Sequence, residues 1–173
     1  MCKLPIYIFN IGAHPEKNIM SQGVINTHLQ KEYTTGNNTQ VITNKDLFDG
    51  LYQKMFDIAD DLFGGVQLLE NNKRTCWAYV TNKDFYRGGI HEHTRTSVVN
   101  SVYYLQVPET KSYREGGISF YNGEDQEVFC YKPKVGDLLI FPNYLKHQPH
   151  QSHTEDFRIA INMEIMCNPV DWD

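Results

Sequence analysis

The sequence lacks most of the features that mark the specialised classes of protein. No apolar run is long enough to cross a bilayer, so no membrane span is predicted. The four cysteines (Cys2, Cys76, Cys130 and Cys167) are scattered and form no Cys-x-x-Cys pair, which argues against a zinc knuckle or a disulfide framework. Lysine and arginine form no cluster and the net charge is -5, so a nucleic acid is not the expected partner. We therefore expect a small molecule or a peptide as partner.

The first residues also lack the features of a secretory signal. The segment MCKLPIYIFNIGAHPEK has no sustained apolar core and no small-residue cleavage site, and Pro5 and Gly12 interrupt it. We therefore expect a cytoplasmic protein. No coiled-coil heptad is present either, so the sequence predicts no oligomeric state.

The length and pattern predict one domain over residues 1–173. In its first part, residues 1–70, a short apolar strand and irregular connections precede one amphipathic helix between Asn44 and Phe63. The helix is indicated by apolar residues at helical spacing: Leu47, Leu51, Met55, Ile58 and Leu62. Thr43 with Asp46 is typical of an N-terminal capping box, and Gly64-Gly65 of a C-terminal stop. We expect this helix to pack on a sheet.

The second part, residues 75–166, reads as a succession of short strands. The segments are TCWAYVT, SVVNSVYYLQV, GISFY, EVFCY, GDLLIF and RIAINMEIM, each rich in Val, Ile, Tyr or Phe. Several short strands separated by turns predict a mainly β (α+β) protein, built as a sandwich or barrel.

Two histidines stand one residue apart in GGIHEHTRTSVVNSVYYL, residues 88–105. In an extended segment alternate side chains share a face, so His91 and His93 would point one way and Glu92 the other. Converging imidazoles suit iron, zinc, copper or nickel, but they need at least one more ligand. Taken alone, such a pair is more often an ordinary surface or core pair.

The best candidate for a further ligand lies in LLIFPNYLKHQPHQSH, residues 138–153. An apolar strand ends at Phe141-Pro142, and His147 follows after a short turn. We take His150 and His153 to belong to a solvated loop.

Arg158 begins the last apolar segment. If that segment lies near His147, Arg158 would project a permanently charged guanidinium into the same cavity, where it could bind a carboxylate bidentately. The simpler alternative is a structural salt bridge with Glu155 or Asp156.

The order of these features resembles the iron(II)- and 2-oxoglutarate-dependent oxygenases, specifically the branch with prolyl hydroxylases and small phage and bacterial oxygenases. The resemblance runs from about Trp77 to Met166. It rests on the His-x-His motif, SVYYLQVP, EGGISFY, KPKVGDLLIFPNYLKH and FRIAIN. It implies a double-stranded β-helix, a cupin-like jelly-roll of two sheets enclosing a metal, with supporting helices packed outside.

The resemblance also assigns metal ligands, with one departure. His91 matches the first metal histidine and His147 the distal one, but His93 stands where most of the family has a carboxylate. Three explanations remain open: a three-histidine site, a carboxylate from elsewhere such as Glu92 or Glu164, and a site that has lost its metal. Strand alternation turns Glu92 away, so we favour three histidines.

For the cosubstrate, Arg158 matches the basic residue that pairs with the distal carboxylate of 2-oxoglutarate. Tyr104 matches a tyrosine that hydrogen-bonds the same carboxylate. Tyr79, with Trp77, falls where an early strand lines the cosubstrate pocket. Plain core packing is the alternative for these aromatic residues.

The implied activity is that of a dioxygenase that uses Fe(II), 2-oxoglutarate and O2. It would release succinate and CO2 and hydroxylate an unidentified substrate, with a peptide or amino acid favoured. Two other functions stay open: a three-histidine oxygenase of cupin type that uses no 2-oxoglutarate, and a non-catalytic jelly-roll binding module. Absence of succinate would indicate the first, and purification without iron would indicate the second.

Overall fold

Apolar segments of the sequence form antiparallel strands, and two helices precede most of them. The computed structural model describes residues 4–35, 40–41, 45–63, 74–94 and 98–165. Within these residues the elements are β1 (Tyr7–Asn10), α1 (Lys17–Thr35), β2 (Gln40–Val41), α2 (Lys45–Leu62), β3 (Arg74–Thr81), β4 (Val99–Gln106), β5 (Ile118–Tyr121), β6 (Glu127–Tyr131), β7 (Asp137–Pro142), β8 (Lys146–Pro149) and β9 (Arg158–Ile165).

The strands form two sheets. The larger sheet has the order β1-β7-β4-β9-β3-β2, and the smaller one has the order β6-β5-β8. All pairings are antiparallel, and β9 lies between β4 and β3. Two sheets with helices on the outside are the predicted jelly-roll, so the fold class is confirmed.

Apolar side chains cover the larger sheet on both faces. Along β7, Leu138 and Ile140 belong to the cluster that packs against the helices, while Leu139 and Phe141 belong to the cluster between the sheets. Residues of the helices in the first cluster include Met20, Val24, Phe48, Leu51 and Met55. Each fully buried side chain of this size contributes about 1.5–3 kcal/mol relative to exposure. The sheet is therefore held in place from both sides.

The predicted helix is present, and a second one was not predicted. The expected helix from Asn44 to Phe63 is α2, whereas Thr43 and Gly64-Gly65 lie outside the described residues. The prediction of irregular connections after the first strand is wrong, because α1 occupies Lys17–Thr35. No helix in the described part of the chain is both long and apolar enough to cross a membrane.

Strand β8 was also not predicted from the sequence, nor was the two-residue strand β2. His147 lies within β8, after the short turn that the sequence predicted, and β8 pairs with β5 along its whole length. The six strands predicted for residues 75–166 all appear, as β3, β4, β5, β6, β7 and β9, and the predicted opening strand is β1.

Asp137, the first residue of β7, is buried and connects both sheets. Its Oδ1 accepts a hydrogen bond from Nδ2 of Asn10 in β1 at 2.9 Å. Its Oδ2 accepts from the hydroxyl of Tyr131 in β6 at 2.8 Å and from the backbone N–H of Lys134 at 2.7 Å. The carboxylate therefore satisfies donors from three parts of the chain.

Gly136 precedes Asp137 in a tight approach of two backbones. Its φ of 89° is in the left-handed region, and an added Cβ would lie 2.5 Å from the carbonyl carbon of Gly12. Its carbonyl accepts from the N–H of Ile11 at 2.9 Å. Glycine is required here for both conformation and space.

Candidate metal centre and cavity

Three histidine side chains converge between the two sheets. The ligand atoms of His91, His93 and His147 all lie within 4.8 Å of one another. The ring centroids are 4.3 Å apart for His91 and His147, 5.2 Å for His91 and His93, and 5.1 Å for His93 and His147. Among the described residues this is the one group of three or more such side chains that could hold a metal ion. The sequence prediction of a converging trio agrees with this geometry.

Backbone hydrogen bonds attach the His-x-His segment to β8. The N–H of His91 donates to the carbonyl of His147 at 3.0 Å, and the reverse bond measures 2.9 Å. The N–H of His93 donates to the carbonyl of Asn143 at 2.9 Å. His91 forms only an isolated bridge, so the expected strand at this position is absent, but the alternation holds. Glu92 is exposed, and its carboxylate accepts from the Thr94 hydroxyl at 3.1 Å.

Two of the rings are oriented by carbonyl groups. Nδ1 of His91 lies 2.8 Å from the carbonyl of Gly89, and Nδ1 of His147 lies 3.0 Å from that of Leu145. A carbonyl only accepts, so each Nδ1 must carry the proton and each Nε2 must carry the lone pair. This is the orientation of histidines that bind metals through Nε2.

The third ring, that of His93, has a carboxylate at Nδ1 in place of a backbone carbonyl. Nδ1 of His93 contacts Oε1 of Glu164, a buried residue of β9. Glu164 thus stands behind His93, and Glu92 is turned to solvent. Neither carboxylate belongs to the converging group.

Desolvation favours the neutral form of two of these imidazoles, His147 and His91. Desolvation lowers the pKa of His147 to about 3, and the neighbouring His91 adds to the effect. Partial desolvation of its ring also lowers the pKa of His91, whose residue as a whole is exposed, although the hydrogen bond to the Gly89 carbonyl opposes this effect. Neutral imidazole is the form that binds a metal, so the centre needs little proton release to accept one.

A cavity of about 240 Å³ adjoins the three histidines. It is lined by Trp77, Tyr79, Arg87, His91, His93, Val102, Tyr104, Ile118, His147, Pro149, Arg158, Ala160 and Asn162. All six residues predicted for the metal and cosubstrate sites are among them. Arg87 and His91 are exposed whereas Arg158 is buried, so the cavity runs from the surface to a deep end.

Arg158 marks the deep end, with only 1% of its surface exposed. Its Nε donates to the carbonyl of Gly116 at 2.8 Å, and its Cζ lies 5.0 Å from the centroid of the Tyr104 ring. Within the described chain its Nη1 has no hydrogen-bond partner and Arg158 forms no ion pair. The expected alternative of a salt bridge with Glu155 is not seen, since Glu155 pairs with Lys83. Arg158 is thus a buried cation directed at the cavity.

Tyr104 lies beside this guanidinium and is fully buried. Its hydroxyl also lacks a hydrogen-bond partner in the described chain, and burial raises its pKa. An unsatisfied buried polar group costs about 1–3 kcal/mol. A guanidinium and a hydroxyl left in this state at one end of a cavity form a receptor for an anion.

Tyr79 lines the cavity differently. Its hydroxyl donates to the carbonyl of Arg87 at 2.5 Å. Burial raises its pKa to about 12, against the opposing effect of Arg158. Because the proton is engaged by the backbone, Tyr79 presents its ring to the cavity. Trp77 is its neighbour on β3, with its ring centroid 6.5 Å from that of His93.

Sequence reasoning missed several residues of the cavity wall. Asn162 was not singled out, although it lies four positions after Arg158 on the same strand. Alternate residues of a strand share a face, so the prediction for Arg158 already implied Ala160, Asn162 and Glu164 as its neighbours. Arg87 lies in a loop, where no such rule applies.

The residues that form this site lie within a segment that matches a known protein family. The family model described as "Putative 2OG-Fe(II) oxygenase" matches residues 75–164. No curated protein matches the sequence.

Several solved structures share the fold. A prolyl hydroxylase from Trichoplax adhaerens, in complex with a peptide fragment of the hypoxia inducible factor oxygen degradation domain, has a TM-score of 0.68 at 17% identity, covering 94% of this chain and 83% of that one. The α-ketoglutarate dependent carbocyclase SnoK from nogalamycin biosynthesis has a TM-score of 0.67 at 11% identity, and the match covers 94% of this chain and 79% of that one. A Pseudomonas putida prolyl-4-hydroxylase has a TM-score of 0.55 at 12% identity, and the match covers 94% of this chain and 92% of that one. At these identities the similarity establishes the fold alone.

Proposed function

Because the chain belongs to the 2OG-Fe(II) oxygenase family, we propose that it hydroxylates a C–H bond of a peptidyl or amino-acid substrate. The protein is an Fe(II)- and 2-oxoglutarate-dependent dioxygenase, and O2 is its second cosubstrate. Residues 1–173 would form one domain, whose jelly-roll core of residues 75–166 would hold the site.

The iron would be held by His91, His93 and His147. A set of three imidazoles would leave the ion with open coordination positions, where the cosubstrate and O2 could bind. The bound groups supply the oxidative chemistry, in which decarboxylation of 2-oxoglutarate to succinate and CO2 accompanies hydroxylation. The role of the three side chains is to fix the ion at the inner end of the exposed loop that carries His91.

One observation carries the assignment of the cosubstrate site. Nη1 of Arg158 and the hydroxyl of Tyr104 are buried without hydrogen-bond partners in the described chain, and both lie on the cavity that contains the three histidines. A carboxylate would satisfy both groups. 2-Oxoglutarate has one carboxylate at each end, so it fits a site that pairs a metal centre with a distant anion receptor. Arg158 and Tyr104 would therefore bind its distal carboxylate, with Tyr79 against its chain.

The remaining wall of the cavity keeps water away from the reacting groups. Val102, Ile118 and Ala160 contribute apolar surface from the two sheets. In such surroundings the charge-assisted hydrogen bonds of Arg158 are stronger than in water. The chain thus orients the cosubstrate and limits side reactions.

A peptidyl or amino-acid substrate is supported by the shape of the site. The cavity reaches the surface at Arg87 and His91, so a group on a larger molecule could approach the metal centre from outside. Prolyl hydroxylases, one of them in complex with a peptide, share the fold. Trp77 and Asn162, on the cavity wall near the histidines, would contact the substrate.

The test is an anaerobic titration followed by a turnover assay. Fe(II) and then 2-oxoglutarate are added to the metal-free protein, and the visible charge-transfer band of an iron-chelated keto acid is recorded. We expect a band in the wild type and a much weaker one in Arg158→Met at equal cosubstrate. On admission of O2, succinate should form, and a peptide library should show products heavier by one oxygen atom. Iron binding without a band or succinate would contradict the proposed reaction.

A further inference from the structure

The three histidines of the candidate centre differ in what stands behind them. His91 and His147 each have Nδ1 against a neutral backbone carbonyl. His93 has Nδ1 against the carboxylate of Glu164. In the described chain it is the one ring of the three that is paired with a charged group.

The position of Glu164 is fixed by the larger sheet. It lies in β9, opposite Asn100 of β4 and Thr75 of β3. Only 7% of its surface is exposed. A carboxylate held by strands on both sides and removed from water acts on its neighbours more strongly than one in solvent.

The donor set itself carries no charge. Three neutral imidazoles around a divalent ion lack the negative charge that the usual set of two histidines and one carboxylate provides. A carboxylate that accepts the Nδ1 proton of a ligating histidine makes the other ring nitrogen a stronger donor. Such a carboxylate supplies part of the missing negative charge from the side of the imidazole opposite the metal site.

We propose that Glu164 is a positioning residue that orients His93 toward the iron and supplies, from behind the ring, the negative charge that the three-histidine set lacks. The inference rests on the proposed function, because it takes His93 as an iron ligand. Glu164 itself touches neither the metal nor the cosubstrate. It acts through His93.

The experiment compares charge removal with and without loss of the hydrogen-bond acceptor. Glu164→Gln keeps an oxygen that accepts from Nδ1 but removes the charge, and Glu164→Ala removes both. Glu92→Gln is the matched control, because it removes a carboxylate adjacent to both histidines that faces solvent. Thermal unfolding of each metal-free variant verifies that it folds.

Two measurements are made anaerobically, the Fe(II) dissociation constant and the reduction potential of the bound iron. Loss of a partner behind a ligating histidine typically weakens metal binding about 10- to 100-fold. We expect a loss in this range for Glu164→Gln and a larger one for Glu164→Ala, with a raised potential in both. Glu92→Gln should match the wild type. If Glu164→Gln also matches the wild type in affinity and potential, the charge has no role and the inference is wrong.

A double-variant comparison gives an independent test. His93→Asp removes the ring through which Glu164 acts, and the new side chain can bring its own negative charge to the metal. Glu164→Gln should therefore cost much less metal affinity in the His93→Asp background than in the wild type. An equal loss in both backgrounds would overturn the inference.

Failure of the inference is distinguishable from failure of the proposed function. The affinity comparison is repeated with Co(II), whose visible spectrum reports binding without 2-oxoglutarate or O2. A wild type that binds Co(II) in a Glu164-dependent manner but forms no charge-transfer band with Fe(II) and 2-oxoglutarate would support the inference on His93 and contradict the proposed reaction. If the wild type formed the band but Glu164→Gln left the dissociation constants of Fe(II) and Co(II) unchanged, the proposed reaction would be supported and the inference on Glu164 contradicted.

Discussion

Replacement of Arg158 by methionine should abolish tight binding of 2-oxoglutarate while leaving the fold intact. Removal of one partner of a buried, hydrogen-bonded charge pair costs about 2–5 kcal/mol, which is roughly a 30-fold to several-thousand-fold rise in the dissociation constant. The metal-free protein should change little. It loses the hydrogen bond from Nε to the Gly116 carbonyl, but it no longer buries a guanidinium whose Nη1 lacks a partner in the described chain.

Thermal unfolding with and without ligand measures both effects. With Mn(II) in place of iron, 2-oxoglutarate at about 100 times its dissociation constant should stabilise the wild type by about 2.7 kcal/mol. For a chain of this length that corresponds to a rise in Tm of about 5–11 °C. Arg158→Met at the same ligand concentration should gain less than about 0.9 kcal/mol, a rise of at most about 3 °C, with a ligand-free Tm close to that of the wild type.

Two further variants make the result specific. Arg114 is exposed and pairs with Glu127 at 2.6 and 2.8 Å, so Arg114→Met should keep the full ligand-induced shift. Tyr104→Phe removes one neutral donor and should lose about 0.5–1.5 kcal/mol of binding free energy. If Arg158→Met retained a shift equal to that of Arg114→Met, the assignment of the anion receptor would be refuted.

Three other predictions follow from the described contacts. His147→Ala should lose the metal-dependent rise in Tm, whereas His150→Ala, outside the converging group, should keep it; equal loss in both would contradict the ligand assignment. Gly136→Ala should destabilise the protein by about 1–3 kcal/mol or more in urea unfolding, because its φ is positive and its Cβ would clash with backbone. Gly50→Ala, in α2 with nothing within 4 Å of the new Cβ, should instead stabilise it by about 0.5–1 kcal/mol, and a loss there would refute this reasoning. Tyr79→Phe should raise the dissociation constant of 2-oxoglutarate only a few-fold, since the hydroxyl already donates to the Arg87 carbonyl; a rise above about tenfold, more than one neutral hydrogen bond usually provides, would show that it serves the ligand.

Elements with strong apolar periodicity were predictable from the sequence. Helix α2 and six strands were recognised because their buried positions repeat at the helical or strand period. Helix α1 was missed because its apolar residues are not confined to one face: Met20 and Val24 are buried, whereas Ile19 and Leu29 are exposed. Apolar residues that are distributed around a helix in this way give only a weak periodic signal.

Strand β8 was missed for a different reason. Its sequence, KHQP, has no β-branched or aromatic residue, and its pairing with β5 and His91 depends on tertiary contacts. Sequence spacing therefore proposed His147 as a ligand without predicting the backbone bonds that place it opposite His91. Local propensity contains no information about partners more than fifty residues away.

The roles of the two glutamates show the same limit. Alternation in an extended segment was enough to predict that Glu92 faces away from the histidines. For Glu164 the sequence offered direct ligation as one possibility, and the structure places it behind His93. That distinction requires the separation of β9 from the His-x-His segment, which no pattern in the sequence encodes.

Apolar packing on both faces of β7 has a consequence for how the chain finds its correct alignment. In a sheet with one solvent-exposed face, a one-residue shift in strand register moves the apolar side chains to that face, and the shift is strongly disfavoured. In β7 such a shift would exchange Leu138 and Ile140 with Leu139 and Phe141, so hydrophobicity discriminates poorly against it. Asp137 does discriminate, because a one-residue slip would take its carboxylate away from Asn10, Tyr131 and the N–H of Lys134. Asp137, which is remote from the metal centre, therefore helps to fix the register of β7 in the sheet. Its substitution should increase the fraction of misfolded chains during refolding, while the correctly folded enzyme should be unaffected.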